Sequence, residues 1–222
     1  MSHPCGTQED LLWGEAGADR LEGNAGFDRL EGGDGSDWLD GGAQADVLYG
    51  GTGDDVLLGG DGFDRLFRGA GADLLDGGEM GDGMFGEGGD DVLLGGGGDD
   101  RLNGGPGNDL IDGGAGADEL FGGAGFDTIL AAPGDDVLAG NFNADTFVFT
   151  DGFGADVILD FEAGNAFERI DLSAVTEITD WADLVAAHMV AEGADVRISA
   201  GADSVVLLGV ALGDLDPGDF VF

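Results

Sequence analysis

The sequence contains no lysine and only seven arginines against 47 acidic side chains, a formal charge of −40 over 222 residues. A polyanion of this density is repelled by nucleic acid and by anionic lipid, so neither is expected as a direct partner. A single cysteine, Cys5, excludes an intramolecular disulfide. No run approaches 18 apolar residues, so no transmembrane segment is expected. The start, MSHPCGTQED, lacks a basic n-region and an apolar h-region, so a conventional signal peptide is not expected either. There is no HExxH, GxSxG or P-loop, and the only histidines are His3 and His188. With four residues ahead of the first repeat, the chain is expected not to be an enzyme.

What the sequence has in excess is glycine and aspartate in a fixed rhythm. Of 48 glycines, 40 precede residue 149. Written in nines from Cys5, the chain gives sixteen blocks ending at Val148, without an insertion or deletion. The sixth position is aspartate in all sixteen, and the eighth is Leu in twelve, with Met84, Ile111, Ile129 and Phe147 in the rest. Seven blocks carry glycine at positions one, two and four. Apolar content of 42% and an apolar residue at one position sixteen times argue against a disordered acidic spacer.

Six glycine-rich residues make a turn, because glycine takes positive φ without steric cost. The other three, such as Val56-Leu57-Leu58, suit a very short strand. Turn-strand-turn-strand closes a coil every 18 residues, and coils stack in parallel at about 4.8 Å. The expected fold is all-β: a parallel β-roll, a right-handed β-solenoid of sixteen nonapeptides at two per coil, over residues 5–148. Residues 1–4 are expected to be a tail, and residues 149–222 a mostly-β C-terminal cap containing one helix. That helix is read in TDWADLVAAHMVAEG, capped at Thr179 or Asp180 and stopped near Gly193. An open stack of coils needs such a cap.

Stacking sets sixth-position aspartates of alternate blocks side by side, Asp55 by Asp73 and Asp73 by Asp91. Two carboxylates at that spacing repel by about 1 kcal/mol in water and about 3.5 at an effective dielectric of 20. A cation reverses the sign. Ca²⁺ takes six to eight carboxylate and carbonyl oxygens in forgiving geometry, whereas Zn²⁺ wants the His and Cys that the repeats lack. The candidate metal ligands are Asp19, Asp28, Asp37, Asp46, Asp55, Asp64, Asp73, Asp82, Asp91, Asp100, Asp109, Asp118, Asp127 and Asp136. Some loops are damaged: Gln44 and Met80 replace the fourth glycine, Arg68 the first, and Ala131 and Ala132 the first two. About eight to twelve ions are expected.

The nonapeptide resembles GGxGxDxUx of the RTX (hemolysin-type) calcium-binding proteins. The resemblance implies that backbone carbonyls at the glycine positions join the aspartates as ligands. In the intact blocks these belong to Gly32, Gly33 and Gly35; Gly50, Gly51 and Gly53; Gly59, Gly60 and Gly62; Gly95, Gly96 and Gly98; Gly104, Gly105 and Gly107; Gly113, Gly114 and Gly116; and Gly122, Gly123 and Gly125. The run GFGADVILDFEAG…RIDLSAV resembles the segment after the roll in serralysin-type proteins, and the chain ends DFVF. That likeness implies an uncleaved type I secretion signal at Asp219, Phe220, Val221 and Phe222, hence the type I secretion machinery as a partner. The expectation is a secreted, extracellular, calcium-binding protein whose roll folds on meeting Ca²⁺ outside the cell.

One pattern is left over. The ninth position of alternate blocks carries Trp13, Tyr49, Phe67, Phe85 and Phe121, with Glu31 and Asn103 between them and Arg29, Arg65 and Arg101 alongside. The column reads either as ladder packing that stiffens a sheet or as a contact surface. The second reading makes the chain an adhesion module for a cell surface or polysaccharide, or a self-associating one.

Overall fold

The computed structural model describes residues 2–4, 6–165 and 167–222, with the side chains of residues 2–4 left aside. Cys5, where the repeat is expected to begin, lies outside the described residues. Two largely parallel sheets face each other across a narrow core, and the chain alternates between them at every strand from Ser2–Pro4 to Arg169–Ala174. One sheet stacks Ser2–Pro4, Arg20–Ala25, Trp38–Ala43, Val56–Asp61, Leu74–Glu79, Val92–Gly97, Leu110–Ala115, Thr128–Ala131, Thr146–Thr150, Arg169–Ala174 and Phe220–Val221. The other stacks Leu11–Ala16, Arg29–Asp34, Val47–Thr52, Arg65–Ala70, Gly83–Phe85, Arg101–Pro106, Glu119–Ala124, Val137–Phe142, Ala155–Ile158 and Asp203–Leu207, then turns antiparallel through Asp195–Ala200 and Met189–Glu192. This is the expected β-roll.

Register follows the nonapeptide. Leu39 pairs with Leu57 and Leu57 with Leu75, each offset by 18 residues. Those eighth-position side chains fill the interior, and from Leu21 to Ile129 every one is fully buried. Successive strand residues point to opposite faces, so a strand whose neighbours are glycine and a half-exposed residue buries one side chain per crossing.

Four expectations change. The strands are six residues long, not three, because pairing runs on through the glycines: Gly42 pairs with Gly60, and Gly60 with Gly78. Glycine continues the ladder there at φ of +103°, +107° and +104°, where a side chain would meet the carbonyl of the coil before. The tail is a strand, Ser2–Pro4, paired with Arg20, Leu21 and Glu22. The stack passes Val148 without a break, since Val137 pairs with Val157 in one sheet and Thr146 with Arg169 in the other. The helix covers only Trp181–Asp183 and a π-turn, Leu184–His188, with Asp180 accepting from the Asp183 amide as N-cap. The rest of that segment, Met189–Glu192, is a strand paired with Asp195–Ala200 across Gly193, whose φ is +73°. The β-branched Val190 and the turn glycine favour a hairpin over a second helical turn.

Candidate metal sites

The sixth-position aspartates form two columns, one on each edge of the roll. Within a column the backbone N–H of one aspartate donates to Oδ1 of the aspartate 18 residues later, as from Asp28 to Asp46 at 2.7 Å and from Asp100 to Asp118 at 2.8 Å. This amide fixes the carboxylate plane and turns Oδ2 inward. Asp28 through Asp136 are at most 4% exposed, so the second oxygen is out of water. On Asp28, Asp37, Asp46, Asp55, Asp64, Asp82, Asp100, Asp109, Asp118, Asp127 and Asp136 that Oδ2 has no hydrogen-bond partner. Asp10 behaves likewise.

Unpaired buried carboxylate oxygens are rare in proteins because each forfeits its hydration. Burial is accordingly the first cause that pushes these carboxyl groups up from their ordinary value of 3.8. Asp46, Asp82, Asp100 and Asp136 rise to about 7, and Asp55, Asp64, Asp109 and Asp127 to about 6. Neighbouring carboxylates of the column add to the rise, and the amide bond opposes it.

The first-position glycine completes each gap. A Cβ on Gly32 would stand 2.5 Å from Asp37 Oδ2 and 2.7 Å from the Gly50 carbonyl oxygen of the next coil. On Gly41 it would stand 2.5 Å from Asp46 Oδ2 and 2.8 Å from the Gly59 carbonyl. The gap is thus an oxygen-lined cradle that no side chain can enter without filling it. Among the described residues no three His, Cys, Asp or Glu side chains converge to hold a metal ion. Each gap therefore offers carboxylate and carbonyl oxygen alone, which suits a hard cation with many oxygen ligands. The residues fit Ca²⁺.

The columns also run further than the nonapeptide pattern. Asp156 accepts from the Asp136 amide at 2.8 Å, 20 residues away, and its Oδ2 is again buried and unpaired. Its carboxyl rises to about 8, chiefly by burial. Phe149 and Thr150 are the two extra residues that break the nine-residue count, and Gly152-Phe153-Gly154-Ala155-Asp156 after them repeats the GxGxD spacing. On the other edge, Glu168 follows Asp145, with its carboxyl pushed to about 7 by burial.

The aromatic column forms in the expected register: Trp13, Glu31, Tyr49, Phe67, Phe85, Asn103 and Phe121 are successive cross-strand partners. Tyr49, Phe67 and Phe85 are stacked at 5.1 Å between ring centroids. Arg29 lies over Tyr49, Arg65 over Phe67 and Arg101 over Phe121. Their faces are covered by one another and by guanidinium groups; Trp13 is 52% exposed. Of the expected secretion residues, Asp219 and Phe220 are buried. Asp219 accepts from the amides of Asp216 and Gly164 at 2.7 and 3.1 Å, and Phe220 packs on Trp181 at 5.6 Å.

A roll of parallel coils whose edges carry stacked buried carboxylates and glycine carbonyls is a structural domain with the chemistry to hold cations. The profile of the RTX calcium-binding nonapeptide repeat (4 copies) matches residues 6–30, 13–48, 31–66, 49–82, 76–111, 85–120 and 112–147. The chain belongs to that family. No curated protein matches the sequence. Among solved structures it is similar to the extracellular lipase LipA of Serratia marcescens, at 19% identity and a TM-score of 0.39, over 87% of this chain and 41% of the lipase. It is also similar to the R3 subunit of the mannuronan C5-epimerase AlgE6 of Azotobacter vinelandii, at 24% identity and a TM-score of 0.33, over 81% of this chain and 79% of that one. Among the described residues no helix is long and apolar enough to cross a membrane.

Proposed function

We propose that the chain is a non-enzymatic, secreted protein that leaves the cell unfolded and folds where Ca²⁺ is abundant. The observation that carries this reading is the column of buried, partnerless Oδ2 atoms. Asp19 through Asp136 other than Asp73 and Asp91, which Arg68 engages, would hold the ions with the first-position carbonyls of intact blocks, and Asp156 joins them. Carbonyls of the second and fourth glycines are proposed as the remaining protein ligands. Bound there, Ca²⁺ supplies the positive charge that the columns lack. The chain's own part is to aim Oδ2 inward through the Oδ1–amide bond, keep the cradle clear with glycine, and exclude water by stacking.

Below the Ca²⁺ concentration that fills the sites, like charges on both edges oppose stacking. At ten times Kd each filled site adds about 1.4 kcal/mol, so ten sites contribute roughly 14 kcal/mol, a domain's whole stability. Burial of Asp219 and Phe220 supports export before folding, since half of an address at Asp219–Phe222 is covered once the end of the roll closes, while Val221 is half-buried and Phe222 exposed. Circular dichroism during a Ca²⁺ titration tests the reading. A cooperative gain of β-signal is expected, and an identical spectrum in chelator and 10 mM Ca²⁺ would refute it.

A second reading, adhesion, is favoured by one feature away from the columns. A surface groove of about 300 Å³ is lined by Asn103, Pro106, Phe121, Ala124, Asn141 and Phe142. Side-chain amides beside an exposed aromatic ring suit a sugar, and Phe142 is 72% exposed, although Arg101 lies over the half-buried Phe121. The stacked Tyr49–Phe67–Phe85 column offers ring edges instead of open faces, so it serves less well as a sugar platform or a self-association surface. Glycan-array binding in Ca²⁺, lost in Phe142→Ser, separates the two readings.

A further inference from the structure

Arg68 stands at the first position of its nonapeptide, where nearly every other block has glycine. A side chain there enters the gap between its own loop and the next loop on the same edge, as the built Cβ positions on Gly32 and Gly41 show. Arg68 is wholly buried. Its Nη2 pairs with Asp73 Oδ2, and its Nη1 lies 2.7 Å from Asp91 Oδ2. Nη2 also donates to Asp91 Oδ1 at 2.8 Å and to the Gly71 carbonyl at 3.4 Å. These two Oδ2 atoms correspond to the ones left without a partner along the rest of the columns. The strand on the receiving coil, Gly83–Phe85, stops after three residues, whereas its neighbours Arg65–Ala70 and Arg101–Pro106 run for six. Pairing beside the guanidinium lapses after Phe85 and resumes at the Ala70–Gly88 bridge.

We infer that Arg68 is a built-in cation that plugs the gap between loops 68–73 and 86–91, so that this gap takes no Ca²⁺ and stays joined when metal is withdrawn. A guanidinium is planar, permanently charged and suited to two carboxylates at once. It occupies the oxygens that an ion would need, and its charge repels a dication from the same cradle. Removal of one partner of a buried charge cluster leaves the others uncompensated, so the joint persists as a unit or not at all. Arg68 thus sets a metal-independent seam in mid-roll, from which coils on either side can add as ions arrive. The calcium reading enters only as the contrast with the other gaps.

The test counts ions. Equilibrium dialysis at saturating Ca²⁺ should show Arg68→Gly binding one more ion per chain than the wild type, because glycine restores the cradle. Equal counts, or a loss in the variant, overturn the plug. Should Arg68→Gly fail to fold, the wild type decides alone. In ¹⁵N spectra of Ca²⁺-saturated protein, one arginine guanidinium should exchange its protons at least ~10-fold more slowly than the other six. Seven fast-exchanging groups would mean that the metal has expelled Arg68, and would end the inference. If no Ca²⁺ binds to either chain, the calcium reading fails, and a protected guanidinium still upholds the Arg68 seam while an unprotected one removes it.

Discussion

The carboxylate columns, which run on to Asp156, and the far end of the same continuous stack satisfy their buried carboxylates in different ways. In the repeats the aspartate Oδ2 atoms face one another across glycine gaps, with Arg68 the one buried basic side chain among the described residues. Near the chain's far end, buried Asp219 accepts from the amides of Asp216 and Gly164 at 2.7 and 3.1 Å. Buried Glu168 accepts from the Glu162 amide at 3.0 Å. Apolar packing differs in the same direction. A repeat coil buries two medium side chains, whereas Phe147, Phe149, Phe153, Phe161 and Phe220 gather at the far end. Phe149 and Phe153 meet edge to face at 5.0 Å. One region leaves buried carboxylate oxygens unpaired, and the other pairs its own with backbone amides.

The largest effect that can break this contrast is chelation. In EDTA, amides of the repeats should lose protection from hydrogen exchange, and what protection survives should lie in residues 147–222 and around Arg68. Uniform survival along the chain would show that the columns do not depend on cations.

Acid should act on the columns in opposite senses in chelator and in Ca²⁺. Asp46, Asp82 and Asp100 rise to about 7 in the folded state and Asp55 to about 6, above the unfolded 3.8. The folded state therefore binds protons more tightly, and this stabilisation is complete below about pH 4 and lost as pH rises through 6 to 7. In chelator, β-signal should return as pH falls from 8 to 5. In Ca²⁺ the same protons compete with the metal, so the folding midpoint should move to higher Ca²⁺. A tenfold difference in proton affinity between folded and unfolded chain corresponds to about 1.4 kcal/mol per group. Midpoints that ignore pH would contradict burial as the cause.

Cavity mutations sharpen the contrast further. Phe149→Ala should cost about 3–5 kcal/mol at saturating Ca²⁺ while leaving the number of bound ions unchanged. Thermal unfolding with parallel ion counting checks both halves. Within the repeats, Asp100→Ala or Asp109→Ala should raise the Ca²⁺ midpoint several-fold more than Asp10→Ala. Interior loops border two gaps, whereas the Asp10 loop has Gln8 in place of its fourth glycine. Equal midpoints would argue against shared gaps. The smallest effect belongs to Phe67→Ser, which removes a stacked ring worth about 0.5–1.5 kcal/mol beyond area. It should lower the melting temperature slightly and leave the ion count as it was.

Much of this was legible in the sequence because the period is strict. An aspartate at every sixth position and a large apolar residue at every eighth dictate coil length, core and edge columns together, and the observed register agrees at each repeat. Asp156 escaped the count because Phe149 and Thr150 shift the frame by two, although its GxGxD spacing was there to be found. Ser2–Pro4 carries no strand pattern and pairs only because the edge of the sheet at Arg20 is open to it. The helix was overextended because Val185 to Ala191 reads equally well as helix or hairpin in isolation, and the partner strand Asp195–Ala200 settles the choice.

By itself the sequence determined the coil, its parallel stacking and the anionic columns, since nine-residue periodicity is a local property repeated without exception. It showed Arg68 only as a lost glycine. That this side chain turns into the gap, reaches Asp73 in its own loop and meets Asp91 23 residues away was decided by stacking, because only adjacent coils bring those carboxylates within reach of one guanidinium.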